Sequence, residues 1–154
     1  MSFSINFFTV SQDELDTLIQ TQDQALFDKL ADERVSNPPL GVTTNEFAPE
    51  CIDLLENLPF AKPLLQHLES DPHDALAPLA GYGDTRVMTP DEAYTIWDSF
   101  TNYVCFETEI VEYCKATNKD IAYEYREPLS TFYKLQYMFH HAKDENLFVI
   151  SYCE

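Results

Sequence analysis

The sequence is poor in positive charge. Its 154 residues include 9 lysines and arginines against 27 aspartates and glutamates, a formal net charge of -18 at pH 7. Nucleic acids and anionic membranes are bound largely through lysine and arginine, which neutralise phosphate groups. We therefore expect no direct binding to nucleic acid or to a membrane surface. A basic protein partner suits this charge, and acidic side chains that only keep the protein in solution are the alternative.

Long apolar runs are also absent. No segment approaches the roughly 18 to 20 consecutive apolar residues of a membrane-spanning helix, and no basic stretch precedes a long apolar one at the N-terminus. We therefore expect a cytoplasmic protein. The cysteines form no C-x-x-C pair, so we expect reduced thiols in or near the core rather than disulfides, at Cys51, Cys105, Cys114 and Cys153.

Motifs for catalysis and cofactor binding are missing as well. No serine lies in a G-x-S-x-G motif, and Gly81-Tyr82-Gly83 lacks the residues that complete a phosphate-binding loop. His140 and His141 are adjacent, so on a helix they point about 100° apart and do not bind one metal ion together. The histidines are instead expected on the surface or at helix ends. We predict no catalytic residues, no cofactor and no metal site, and we favour a non-enzyme while leaving enzymatic activity open.

The chain does contain enough apolar residues for one core, since 45% of it is hydrophobic and 14% aromatic. This length leaves little material for a second domain, so we predict a single domain over residues 1–154. At the start, Phe3 to Phe7 alternates apolar and polar residues, which is typical of a half-buried strand, and we predict a strand over Phe3 to Phe8. At the end, Leu147 to Tyr152 is apolar on both faces, which predicts a central or covered strand. We predict that these strands are neighbours in a small sheet.

Helical patterns dominate between the two strands. Ser11 and Glu14 fit a capping box ahead of a first helix, and Thr89-Pro90-Asp91-Glu92 is the clearest helix start, with Thr89 as the N-cap. The predicted fold class is therefore α+β, a mostly helical domain whose small sheet includes the N-terminal and C-terminal strands. Further helices are predicted from Gln22 to about Asp32, from Glu46 to Leu58, from Pro63 to Glu69 and from Pro128 to Lys143, with loops over Arg34 to Thr44 and Ser70 to Asp84.

Aromatic side chains with polar tips are more numerous than a core of this size needs. Tyrosine and tryptophan are favoured in protein interfaces, and half-buried rings whose hydroxyls reach the surface are the alternative. These rings are Tyr82, Trp97, Tyr103, Tyr113, Tyr123, Tyr125, Tyr133 and Tyr137. Together with the histidines they give the candidate pocket or interface residues Tyr82, Trp97, Tyr103, His67, His73 and His140.

The order of several segments resembles a known family. Met1-Ser2-Phe3-Ser4 leads through Phe7-Phe8-Thr9-Val10 to the first capped helices. Gly81-Tyr82-Gly83 then precedes Thr89-Pro90-Asp91-Glu92-Ala93, and a final helix runs into Leu147 to Tyr152. Over most of the chain these segments resemble the YfbM-like group of small bacterial proteins of unknown function. The resemblance implies a mainly helical α/β domain with a small sheet, and it assigns no catalytic or binding residues.

Two hypotheses for function follow. The first is a non-enzymatic binding protein, of the inhibitor or immunity type, that uses acidic and aromatic surface against a basic protein partner. The second is a small-molecule-binding protein or enzyme with a pocket lined by the Ser70 to Asp84 loop, Trp97 and the C-terminal helix. The second predicts a deep cleft that holds a histidine, cysteine or carboxylate with a perturbed pKa.

Overall fold

The computed structural model describes residues 4–44, 48–79, 83–102, 106–122 and 124–154. Within these ranges a helical framework surrounds one antiparallel sheet, so the predicted α+β class is confirmed. The strands are β1 (Ile5–Val10), β2 (Gly41–Thr43), β3 (Arg86–Met88) and β4 (Phe148–Cys153), in the order β2-β1-β4-β3. The helices are α1 (Gln12–Thr21), α2 (Gln24–Arg34), α3 (Ala48–Asn57), α4 (Lys62–Leu68), α5 (Pro90–Asn102), α6 (Phe106–Ala116) and α7 (Arg126–Asp144).

The two terminal strands are neighbours, as predicted, and they form the centre of the sheet. β1 and β4 pair antiparallel along their full length, from Ile5 opposite Cys153 to Val10 opposite Phe148. Beyond the strands, the Ser4 amide donates to the Glu154 carbonyl at 2.8 Å, and the Glu154 amide donates back at 2.9 Å. The chain therefore closes on itself through its longest β-ladder.

Both faces of the sheet are covered by helices. The larger hydrophobic core packs α3 to α7 against one face, where β1 contributes Ile5 and Phe7. A smaller core packs α1 and α2 against the other face, where β1 contributes Phe8 and Val10. All six residues of β1 are buried, so the prediction of a half-buried strand is wrong. The alternation of residue types did not reveal this because Asn6 and Thr9 are polar yet buried.

A group of phenylalanines fixes the helices of the larger core. The Phe60 ring lies edge-on to Phe100 at 5.2 Å and to Phe132 at 5.6 Å, and Phe100 and Phe132 stack at 5.9 Å. Such aromatic pairs add about 0.5–1.5 kcal/mol each beyond the burial of their area. They hold α5 against α7 and so position both candidate surfaces described below.

Local helix signals are confirmed where they were strong. Ser11 and Glu14 form the predicted capping box, with the Ser11 amide donating to Glu14 Oε1 at 2.9 Å. The Glu92 amide donates to Thr89 Oγ1 at 3.1 Å, so Thr89 caps α5 as predicted. Between α1 and α2, Gln22 adopts φ 49° and ends α1 rather than beginning α2, and Asp23 is the N-cap of α2.

The short edge strands were not predicted. β2 lies in the segment that we predicted as a loop, and β3 follows the second predicted loop. Each has three residues, too few for an alternating pattern to be visible. Their pairing depends on partners far away in sequence: Val42 lies opposite Phe7, and Val87 lies opposite Ile150.

Candidate functional site

Helix α5 separates two surfaces that carry the chemically notable side chains. Its buried stripe of Ala93, Ile96 and Phe100 faces the larger core. One flank of α5 meets α7 at a surface that we call the aromatic face, formed by Tyr94, Trp97, Tyr133, Tyr137 and His140. The other flank meets α4 at a depression that we call the His67 groove, lined by Pro63, Gln66, His67, Ser70, Glu92, Thr95 and Ile96.

The aromatic face combines rings from two helices. Tyr133, Tyr137 and His140 are spaced four and three residues apart, which places them on one side of α7. The His140 ring lies 5.5 Å from Trp97, and Trp97 lies 6.0 Å from Tyr94. Among the described residues, the large hydrophobic side chains that are exposed are Tyr94 (46%), Tyr133 (42%) and Tyr137 (55%). All three belong to this face.

A cation already lies over part of this face. The Lys143 ammonium is 4.6 Å from the centre of the Trp97 ring and 5.8 Å from that of Tyr94. The negative face of an aromatic ring attracts a cation within about 6 Å. The surface around Tyr94 is acidic, because Asp91 and Asp98 lie three residues before and four residues after it on α5. Aromatic rings and carboxylates are thus combined at this surface.

The His67 groove joins a buried base to an exposed acid. It is an open depression of about 320 Å³. The His67 side chain is only 7% exposed, whereas that of Glu92 is 53% exposed. Nδ1 of His67 lies 3.7 Å from Glu92 Oε2, and Nε2 lies 3.3 Å from the hydroxyl oxygen of Ser151 on β4. Burial and the nearby Arg86 guanidinium lower the pKa of His67 to about 4, so its ring is neutral at pH 7.

Ser151, His67 and Glu92 are arranged like the nucleophile, base and acid of a catalytic triad. The burial of Ser151 argues against nucleophilic catalysis by this group. Ser151 is 1% exposed within the central strand. A nucleophilic hydroxyl must reach the substrate. The contact instead connects α4 to β4.

A second polar cluster connects three helices. Asp53 on α3 accepts hydrogen bonds from the Tyr113 hydroxyl at 2.9 Å, the Tyr125 hydroxyl at 2.6 Å and the Lys119 ammonium at 2.7 Å. Partial burial by itself would raise the pKa of the Asp53 carboxyl, but these hydrogen bonds outweigh it and lower the pKa. Burial and the bond to Asp53 raise the pKa of Tyr125 to about 12. Every member has a partner, so the cluster serves to join α3, α6 and the start of α7.

The predicted site residues do not form one site. Trp97 and His140 come together on the aromatic face, and His67 lies in the groove on the opposite flank of α5. His73 lies beside β3, where its amide donates to the Thr85 carbonyl and its ring accepts from the Ala75 amide. Tyr82 and Tyr103 lie outside the described residues. His67 meets the expectation of a surface or helix-end position only through its place in the last turn of α4, because its ring is buried between α4 and the sheet.

Sequence reasoning missed three contributors to these surfaces. Tyr94 was omitted although it lies three residues before Trp97, a helical spacing that places both on one side of α5. Lys143 and Glu92 were considered only for their positions near helix ends. No local signal connects Lys143 to Trp97 or Glu92 to His67, because each pair is brought together only by helix packing.

The chain was also compared with known proteins. No protein-family model, curated protein or solved structure matches it. The resemblance to the YfbM-like group therefore stays a prediction. None of the helices in the described ranges combines the length and the apolar character that crossing a membrane requires.

Proposed function

We propose that this protein is a non-enzymatic binding protein that uses its aromatic face to bind a cationic segment of a protein partner. The observation that carries the proposal is the position of the exposed rings. Tyr94, Tyr133 and Tyr137, the exposed large hydrophobic side chains of the described residues, all belong to one face. Exposed apolar groups gathered on one surface are characteristic of interaction sites.

The chemistry of the face suits a basic segment. Lysine and arginine bind over aromatic rings, and Lys143 shows that Trp97 and Tyr94 already hold a cation in this way. The neighbouring Asp91 and Asp98 add carboxylates that pair with such side chains, and the net charge of -18 attracts a basic partner from a distance. Free thiols at Cys51, Cys114 and Cys153 suit the reducing cytoplasm, where we place the protein.

The test compares capture of partners by three forms of the immobilised protein. These are the wild type, the double variant Tyr94→Ala/Tyr137→Ala, and the matched control Tyr94→Phe/Tyr137→Phe, which keeps both rings. Lysate of the organism that encodes the protein is applied at about 50 mM and about 300 mM salt, because screening weakens exposed charge pairs. The expected result is a basic protein that the wild type and the phenylalanine control retain at low salt and that the alanine variant loses.

The captured protein is then purified and its affinity measured by calorimetry. Loss of hot-spot tyrosines should weaken binding by about tenfold or more, while the phenylalanine control binds like the wild type. Equal affinity of the alanine variant, or the absence of any salt-sensitive partner, contradicts the proposal.

A second candidate function is binding of a small molecule, and the His67 groove is the observation that favours it. The pocket predicted from the sequence joined the Ser70 to Asp84 loop with Trp97. In the structure Ser70 lines the His67 groove, while Trp97 lies on the other flank of α5. The groove volume of about 320 Å³ is at the lower end of the range typical for small-ligand sites.

A further inference from the structure

The His67 groove presents two acceptor groups to one space. Nδ1 of His67 and Oε2 of Glu92 are 3.7 Å apart, which is longer than a hydrogen bond. A donor group placed beside both atoms can therefore bind to each. Beneath them, the ring of His67 is held by the contact of Nε2 with Ser151, so Nδ1 keeps its direction.

The protonation states of His67 and Glu92 favour a ligand with a positively charged hydrogen-bond donor. When Nε2 carries the proton and donates to Ser151 Oγ, the lone pair of Nδ1 faces the groove and accepts. Glu92 accepts through its carboxylate. Arg86, whose charge acts on His67, is already engaged, since its Nε donates to the Ser70 carbonyl at 2.7 Å and its Nη1 donates to the Asp84 carbonyl at 2.6 Å.

The other residues that line the groove can accommodate a ligand with a short apolar portion. Pro63 and Ile96 supply apolar surface, and Gln66, Ser70 and Thr95 supply further polar groups. Larger anions are disfavoured by Glu92 and by the net charge of -18.

We propose that the His67 groove binds small primary alkylammonium ions, with the ammonium group bridging His67 Nδ1 and Glu92 and the alkyl chain lying against Pro63 and Ile96. This inference rests on the second of the two candidate functions. It names the class of ligand, and it is independent of the aromatic face.

The test is an NMR titration of the full chain, labelled with ¹⁵N, with propylammonium as the probe. Propanol and propionate serve as neutral and anionic probes of equal length. The expected result is a saturable change at the amides of Ser70 and Thr95 and at the ring nitrogens of His67, whose ¹⁵N shifts indicate a proton on Nε2. Glu92→Gln should weaken binding by about tenfold, because the charge-assisted hydrogen bond is lost. Glu112→Gln, an exposed substitution on α6, should leave it unchanged.

Several outcomes overturn the proposal. Shifts that do not saturate, that spread over the acidic surface, or that are equal in Glu92→Gln show general attraction to negative charge. Equal or tighter binding of propanol or propionate shows that the groove binds small molecules but does not recognise an ammonium group. If none of the three probes binds, both the inference and the second candidate function fail.

Discussion

At the scale of single residues, Gly41 is constrained by the close approach of two backbones. A Cβ atom at this position would collide with the Arg34 carbonyl oxygen and lie 2.5 Å from the Phe7 carbonyl oxygen. Because both atoms belong to backbone, no side chain can move away to make room. Gly83 differs: its φ of 76° strains an L-residue, but the nearest atom to an added Cβ is 3.9 Å away.

This contrast gives a first prediction. Gly41→Ala should lower the free energy of unfolding by about 2–3 kcal/mol, because the α2 end and β1 must separate to accept the methyl group. The matched variant Gly83→Ala should cost about 1 kcal/mol, which is the cost of the backbone conformation alone. Urea unfolding followed by circular dichroism measures both. An equal loss of unfolding free energy in the two variants would mean that β2 can accept a methyl group at residue 41 beside α2.

His67 gives a second prediction at the residue scale, concerning pH. Its pKa is lowered to about 4 in the folded chain by burial and by Arg86, against about 6.5 when unfolded. As pH falls from about 6.5 to about 4, His67 becomes protonated in the unfolded chain but stays neutral in the folded chain. The stability that this group contributes is therefore fully present above about pH 6.5 and is lost as the pH falls to about 4, by about 3 kcal/mol.

The measurement compares wild type with His67→Gln, which cannot titrate, by urea unfolding at several pH values. The advantage of the wild type should shrink as pH falls, and the variant's curve isolates His67 from other groups. The charged neighbours of the ring are Arg86 on β3, which lowers its pKa, and Glu92 on α5, whose Oε2 lies 3.7 Å from Nδ1. A difference that stays constant with pH would place the His67 ring in water.

At the scale of elements, β4 joins the sheet to both hydrophobic cores. It pairs with β1 over six residue pairs and with β3 over three, and it contributes Val149 to one core and Ile150 to the other. Removing it would open both cores at once and leave β1 with only the short partner β2. β1 likewise pairs with two strands and contributes to both cores.

We therefore predict that a chain truncated after Asn146 does not fold. Its circular dichroism spectrum should lack a cooperative thermal transition, because the apolar area that offsets chain entropy can no longer be buried. A chain lacking only Glu154 is the control; it loses the paired backbone hydrogen bonds to Ser4 but keeps β4, so it should fold with slightly reduced stability. A truncate that melts cooperatively would show that the helices form the core without the sheet.

At the scale of the whole molecule, charge is the dominant property. The chain of 154 residues has a net charge of -18, and its acidic side chains repel one another in the compact state. Among the described residues the ion pairs are few and mostly partly exposed, as for Arg34 with Glu14 and Lys119 with Asp53. Repulsion among the remaining carboxylates should therefore be partly relieved by salt.

The corresponding prediction is that the melting temperature rises by about 5 °C between about 20 mM and about 300 mM sodium chloride, as screening shortens the reach of the repulsion. Potassium chloride should act equally, since the effect depends on ionic strength. A variant with exposed Glu56, Glu69 and Glu112 changed to lysine should respond less. A melting temperature that does not change with salt would mean that the acidic groups are too far apart to repel.

The sequence by itself determined the fold class, the capped helices and the pairing of the two ends. These depend on local patterns, such as the Ser11 and Glu14 box, or on long apolar strands such as β4. Only the tertiary structure decided that β1 is buried on both faces, that three-residue edge strands complete the sheet, and that α5 separates the aromatic face from the His67 groove. His67 and Ser151 are 84 residues apart in sequence. Such a meeting is set by helix packing over long range, so no spacing in the chain can reveal it.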